Sequence, residues 1–294
     1  MNAAPPLVSI GIPTYNRAAL IGRAVESALQ QNHPNVEVLI SDNASTDGTA
    51  EICEAWAARE PRVRLMRQPQ NLGATANFNA VLGMAHGSYF MWLGDDDWLD
   101  PDYVSRTLAH FQADPRLALV SGRPVYYAKG VQQGVGRMFR IEGDSALARM
   151  LRYYWMVSDN GTFYGLMRRE HAVAGGLGNT MGGDWLFVAR LALQGKILML
   201  EETTVHRELG GATSSYEAIA RAQGLPASHA RYPFVAIAIA AAADLLRGRS
   251  GASGTLPGRW LMAAAAFGCV LAKAARIRVA EFAHGMGRTA PKNG

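Results

Sequence analysis

The run Ser88-Tyr-Phe-Met-Trp-Leu-Gly-Asp-Asp-Asp97 constrains this chain more than any other, because an apolar stretch breaks off into three consecutive carboxylates. Tyr89 to Leu93 read as a strand buried inside a sheet. Delivering like charges to the end of a buried strand is costly unless something positive gathers there. In open α/β sheets, the carboxyl end of the strands is where ligands bind. If the chain stays extended, Asp95 and Asp97 fall on one side and Asp96 on the other. Hard carboxylate oxygens suit Mn²⁺ or Mg²⁺, ions that commonly bridge a protein to phosphate oxygens. A solvated acidic turn is the competing reading; the apolar strand before it favours the metal site.

The chain has 294 residues, enough for one large domain or a domain with an appendage. A net charge of +5 fits an anionic substrate, a membrane surface or nucleic acid. No Lys/Arg run with interleaved aromatics occurs, so nucleic acid is the weakest of these and is not expected as a partner. Cys53 and Cys269 lie far apart and form neither a metal-ligand spacing nor a disulfide framework, which suits a reducing compartment. The first residues lack the layout of a signal peptide, and no apolar stretch reaches the length of a spanning helix. A cytoplasmic protein is expected.

Strands and helices alternate through the first half. Strands are predicted at Val8–Pro13, Val36–Ser41, Val63–Arg67, the acid-tipped segment and Leu117–Ser121. Between them fall a helix that Asn16 can cap, one over roughly Thr49–Arg59, one running to about His86 and one from Pro101 to about Phe111. This alternation predicts a mostly parallel, Rossmann-like α/β sheet flanked by helices. Regularity fades over Gly122–Asn160, where a helix near Asp144–Tyr154 is expected. A strand at Thr162–Met167, a glycine-rich loop over Gly175–Gly183, a helix opened by Asp184 and a strand at Lys196–Val205 follow. Beyond Ser215 the chain turns Ala-rich and helical, interrupted at Arg247–Gly258.

Four groups follow strands in register: Pro13-Thr14-Tyr15-Asn16, Asp42 with Ser45-Thr46-Asp47-Gly48, Asn71-x-Gly73, and Asp95-Asp96-Asp97. Their order and spacing resemble the inverting nucleotide-sugar glycosyltransferases of family 2, which have the A-type fold. The resemblance covers about residues 7–121 closely and 160–215 more loosely. It implies a catalytic domain over residues 1–215 with a helical extension over 216–294.

The resemblance also implies site roles. Residues matching Pro13, Tyr15 and Asp42 form the base pocket, with Thr14 and Asn16 beside them. Tyr15 can stack on a nucleobase, and Asp42 can accept the imide N–H of uracil or thymine. A packed core aromatic is the alternative for Tyr15, and helix capping for Asp42 and Asp47. The segment of Asn71, Gly73 and Asn77 would lie along the nucleotide sugar, although Asn71 also suits a plain turn. Relatives commonly read Leu-Asp-x-Asp-Asp, whereas here Gly94 stands at the first aspartate. The metal role therefore passes to Asp97 and next Asp95, with Asp96 meeting ribose or donor sugar. The family's general base sits after a glycine-rich loop as Glu-Asp; Gly183-Asp184 leaves Asp184, against the alternative of a helix N-terminal residue. Arg207 suits the diphosphate, His206 is either a site or a structural residue, and Gly210–Ser215 resembles a closing loop.

Trp260–Leu271, followed by Lys273, Arg276 and Arg278, fits peripheral contact with an anionic bilayer or a helical pair packed on the catalytic domain. Polymerising synthases carry Gln-x-x-Arg-Trp; Leu256 replaces that Gln before Arg259-Trp260, which points to single addition. The expectation is a metal-dependent transferase moving one sugar from a UDP- or dTDP-sugar to a glycan or polyprenyl-linked hydroxyl in cell-surface polysaccharide synthesis. Its rivals are a sugar-1-phosphate nucleotidyltransferase and a non-catalytic sugar-nucleotide-binding protein.

Overall fold

The structure is a computed structural model that describes residues 4–210, 215–248 and 256–287. Its first half winds β1 (Val8–Thr14), α1 (Ile21–Leu29), β2 (Val36–Asp42), α2 (Thr49–Arg59), β3 (Val63–Arg67), α3 (Ala74–Gly83) and β4 (Tyr89–Trp92). A short β5 (Trp98–Leu99), α4 (Tyr103–Ala113) and β6 (Leu117–Ala128) follow. Next come β7 (Val131–Val135), β8 (Arg140–Ile141), α5 (Ala146–Met156), a 3-10 turn at Gly161–Tyr164, β9 (Leu166–Arg168) and α6 (Arg169–Gly175). The rest comprises α7 (Gly183–Gln194), β10 (Lys196–Glu208), α8 (Tyr216–Ala222), α9 (Ala227–Arg231), α10 (Pro233–Leu246) and α11 (Leu256–Gly287).

All ten strands join one sheet in the order β3-β2-β1-β4-β9-β6-β10-β5, with β7 on β6 and β8 on β10. The long pairings are parallel: β1 with β2 and β4, β2 with β3, and β6 with β10. The short strands add antiparallel. Every residue of β1 is buried, as a strand covered on both faces requires. One helical layer packs β1 and β2 through Ile21, Ala24, Val25 and Ala28. The other face meets α3, α5 and α7, where Trp92 stacks on Phe163 at 4.9 Å and meets Phe187 edge-on. Ile237, Ala241, Ala266 and Val270 of α10 and α11 belong to that same apolar cluster. The C-terminal helices thus share a core with the sheet.

Four local expectations are corrected. Asn16 does not cap α1: its φ is +53°, and the helix starts at Ile21 after a turn. Thr162–Met167 is a 3-10 turn followed by a three-residue strand, since the turn is closed by Phe163 N–H to Asn160 O and Gly165 N–H to Thr162 O. The acidic triplet is not extended: Asp97 N–H donates to Gly94 O at 3.1 Å and closes a turn. Finally, α11 is long and apolar enough over Leu256–Glu281 to cross a membrane by length and composition, with a mean hydropathy of 1.5. Stopping the apolar run at Lys273 shortens it, yet the helix continues through Lys273 with that side chain buried. The expected closing loop over Gly210–Ser215 lies mostly outside the described residues.

Candidate active site

The loops after β1 and β2 are stitched together by their own side chains. Asn16 N–H donates to Ser45 Oγ at 2.9 Å, and Asn16 Oδ1 accepts from Thr46 N–H at 2.9 Å. Arg17 N–H donates to Thr49 Oγ1 at 2.7 Å. Asp47 accepts from Thr49 N–H and Ala18 N–H, so it fastens the start of α2 as well as the neighbouring loop. Pro13 and Thr14 are buried at the tip of β1. Tyr15 is 41% exposed, which leaves its ring out of the core. Asp42 is fully buried; it accepts from Ser45 N–H at 3.2 Å and lies 3.5 Å from Arg67 Nε.

Three asparagines carry the architecture of this half. Asn43 accepts from Leu72 N–H and donates to Asn71 Oδ1, which also accepts from Gly73 N–H. Asn71 therefore makes the turn, and Gly73 enters α3 at φ +83°. Buried Asn77 donates to the carbonyls of Thr14 and Ser41 and accepts from Ser41 Oγ. It pins α3 to the ends of β1 and β2.

The turn at Gly94–Asp97 sends the three carboxylates to different partners. Asp95 faces the β1 loop: Tyr15 N–H lies at 3.4 Å and Arg17 Nε at 3.5 Å. Asp97 is 2% exposed, accepts from Glu208 N–H at 3.0 Å and lies 3.5 Å from Arg207 Nε. A Cβ on residue 94 would stand 2.6 Å from Asp97 Oδ2, so glycine there is what lets Asp97 fold back over the turn. Asp96 is only partly buried, and Arg23 Nη2 holds its backbone carbonyl at 2.7 Å. Burial pushes Asp95 up to about 7, with the charge of Asp96 adding to it and Arg17 opposing. Burial likewise raises Asp97 to about 6 against the pull of Arg207, and raises Asp96. Burial thus outweighs what the two arginines return to these carboxylates.

All the donors in this cluster are carboxylate oxygens, the type Mn²⁺ and Mg²⁺ take. Among the described residues, no group of three or more His, Cys, Asp or Glu side chains is placed to hold a metal ion. The cluster fits an ion that takes one or two carboxylates from the protein and completes its shell with phosphate oxygens and water.

Asp184 stands in the first turn of α7. Gly182 before it has φ +69°, and a Cβ there would meet Ile237 Cγ1 of α10 at 2.7 Å. Asp184 Oδ2 accepts from Asn160 Nδ2 at 2.7 Å. Asn160 is itself fixed, since its Oδ1 accepts from Tyr153 Oη at 2.7 Å and Thr162 Oγ1 at 3.0 Å. Its own backbone is left-handed, with φ +49°. Burial raises the Asp184 pKa above the usual carboxylate range, while Asn160 and the N–H of Trp185 pull it back. The positive charge of Arg207 lowers the pKa of Asp184 as well as that of Asp97. Tyr164 lies under Arg207, 4.4 Å from ring centroid to guanidinium carbon. His206 is held structurally: Nε2 contacts Asp100 Oδ1 at 2.8 Å, Nδ1 contacts Tyr127 Oη, and the ring stacks on Trp98. Arg23 also lies over the Trp98 ring, 3.6 Å from guanidinium carbon to centroid.

The sequence reading missed Asn43, Arg23 and Asn160. Asn160 has no motif around it, and only its contact with Asp184, 24 residues away, reveals its place.

A sheet carrying its acidic turn and loop cluster at one end defines the class: this is an A-type glycosyltransferase fold. The chain belongs to glycosyl transferase family 2, whose model matches residues 9–174. It is similar to chondroitin synthase of Pasteurella multocida, 44% identical over 115 residues, which are 39% of this chain and 12% of that enzyme. An uncharacterized protein of Mycobacterium tuberculosis is 32% identical over 201 residues, covering 67% of this chain and 57% of the relative. Among solved structures, S. aureus TarS in complex with UDP has a TM-score of 0.58 at 18% identity, covering 89% of this chain and 80% of that one. A mannosyltransferase of Pyrobaculum calidifontis, in complex with GDP-Man and Mn²⁺, has a TM-score of 0.55 at 19% identity, covering 92% and 86%.

Proposed function

We propose that this glycosyltransferase moves a single sugar, with inversion, from a UDP- or dTDP-sugar to a hydroxyl of a glycan or polyprenyl-linked acceptor in cell-surface polysaccharide synthesis at the cytoplasmic face of the membrane. The observation that carries the reading is Asp184, a buried carboxylate of raised basicity oriented by Asn160 and within the electrostatic reach of Arg207, which also contacts Asp97. Tyr15 stacks on the base, and the loops of Pro13, Thr14, Asn16, Asp42, Asn71 and Gly73 enclose the nucleoside. Asp184 takes the proton of the acceptor hydroxyl. That oxygen forms its bond to the anomeric carbon on the face opposite the diphosphate, and the bond from carbon to the diphosphate oxygen breaks. Arg207 steadies the negative charge that develops on the leaving group. Asp97 and Asp95 are the residues proposed to hold a divalent ion, with Asp96 meeting the ribose or donor sugar. When bound, such an ion supplies Lewis-acid stabilisation of the diphosphate.

The test is a donor screen by thermal shift with Mn²⁺, followed by transfer assays on Asp184→Asn. Loss of transfer with nucleotide affinity retained supports an enzyme that uses this base. Nucleotide-sugar binding without any turnover by the wild type favours a binding protein. Pyrophosphate release from a nucleoside triphosphate favours a nucleotidyltransferase.

A further inference from the structure

Positive charge is segregated in this chain. Residues 216–294 carry ten Lys/Arg against three Asp/Glu, a net +7, whereas residues 1–215 carry nineteen against twenty-one, a net −2. The same C-terminal part holds the most exposed large apolar side chains of any described helix: Leu256, Trp260, Leu261 and Val279 are 60–69% exposed.

The two properties meet on α11. Ala263, Ala266, Val270 and Lys273 are buried and form its inward arc, against α10 and α5. At about 100° per residue, Leu261, Ala264, Gly268, Ala272, Ala275 and Val279 fall on the opposite arc. All six are exposed and none is charged. Arg276 and Arg278 are exposed on either side of that arc, and Arg276 lies 4.3 Å over the ring of half-exposed Trp155. Trp260 stands at the stripe's edge near the start of the helix, where an amphipathic ring suits a lipid–water boundary.

We propose that the outer face of α11 docks on an anionic phospholipid surface, lying flat rather than crossing it. Length and composition alone would allow α11 to span a bilayer. Its inward arc is committed to the protein, however, and Lys273 in that arc donates to the backbone carbonyls of Tyr154, Trp155 and Val157. A span would strip those contacts and place the ammonium in hydrocarbon. The exposed arc from Leu261 to Val279 runs for about 27 Å along the helix axis, and its flanking guanidinium groups remain level with anionic headgroups. Charge complementarity selects a lipid surface over a second copy, because two such faces brought together would repel. The docking surface deepens the membrane placement proposed above and rests on that part of the reading; vesicle binding and sugar transfer are measured separately, so each can fail without the other.

The full chain is mixed with vesicles of phosphatidylglycerol and phosphatidylcholine, or of phosphatidylcholine alone, and sedimented. Binding is expected to the anionic vesicles only, with release at high salt. Arg276→Glu with Arg278→Glu, and separately Leu261→Glu with Val279→Glu, should each weaken binding about tenfold or more, with circular dichroism and melting temperature near wild type. Equal binding to both vesicle types, or unchanged binding by either double variant, overturns the proposal. Retention through an alkaline carbonate wash would mean a spanning helix, and a solution dimer split by Leu261→Glu would mean that a second copy covers the face.

Discussion

The two halves of this fold build their parts of the site in different ways. Between Val8 and Gly73, each functional loop leaves the end of a strand, and its anchors come from the adjoining loops: Asn16 on Ser45 and Thr46, Asn43 on Asn71 and Leu72. Beyond Gly122, the carboxylate of Asp184 is placed by Asn160, which is placed by Tyr153, and α5 behind it is held by Lys273 from α11. A nucleotide moiety can be recognised by a standard set of loops. On the proposed function, a hydroxyl to be deprotonated needs one group held with precision, and the tertiary core is what holds Asp184.

The sharpest test of this contrast is the base. Asp184→Asn keeps the partner of Asn160 almost isosteric while abolishing proton acceptance. Transfer is expected to fall by about 10²–10⁴-fold with UDP affinity near wild type. A variant retaining more than about a tenth of the rate would move the role elsewhere in the second half.

Tyr15 probes the first half. Its ring is exposed, so truncation should leave the fold intact and remove only stacking. Tyr15→Ala is expected to weaken nucleotide affinity by roughly 5- to 150-fold, corresponding to about 1–3 kcal/mol. Calorimetry showing unchanged UDP affinity would place the base away from β1.

Asn160→Ala separates positioning from chemistry. The amide donates to the ionised form of Asp184, so removing it should raise the pKa of the base further. The acid side of the rate profile then moves to higher pH, and the rate near neutrality drops by roughly tenfold. Asn160→Asp or Asn160→Ser variants that lose rate without moving the profile would reduce the residue to a structural one.

Legibility in the sequence follows the same division. β2, α2 and β3 are placed nearly to the residue by alternation and turn chemistry, because their neighbours in sequence are also their neighbours in space. The plain turn weighed for Asn71 is what the structure shows, and Asp42 likewise accepts a backbone N–H that closes its own loop. The turn at Gly94 was hidden because an extended continuation is sterically equally good; Asp97's bonds to β10, 111 residues away at Glu208, decide it. Asn160 and the 3-10 turn after it were illegible for a related reason: their conformation is fixed by Tyr153 and Asp184. The apolar stretch at Trp260–Leu271 gives way to Lys273 in the sequence, and only the carbonyls at the end of α5 explain how that charge is accommodated inside a longer helix.

Lys273 gives the smallest effect and the test of whether the second half is fastened from α11. Its ammonium donates to the carbonyls at the end of α5, yet burial lowers its pKa to about 8 from 10.5, with Arg276 and Arg137 adding to the shift. Between those values the unfolded chain holds the proton and the folded one releases it, so wild-type stability should rise as pH goes from about 8 toward 10.5. Lys273→Met fills the same space without charge and abolishes that slope. Near neutrality it should cost about 1 kcal/mol, the loss of donors to the carbonyls being partly offset by burying no charge. Urea unfolding of both proteins at several pH values measures the difference. A wild-type curve that stays flat, or a Met variant that keeps the slope, would mean that Lys273 does not titrate against α5, and that apolar packing of Ala266 and Val270 alone holds the helix.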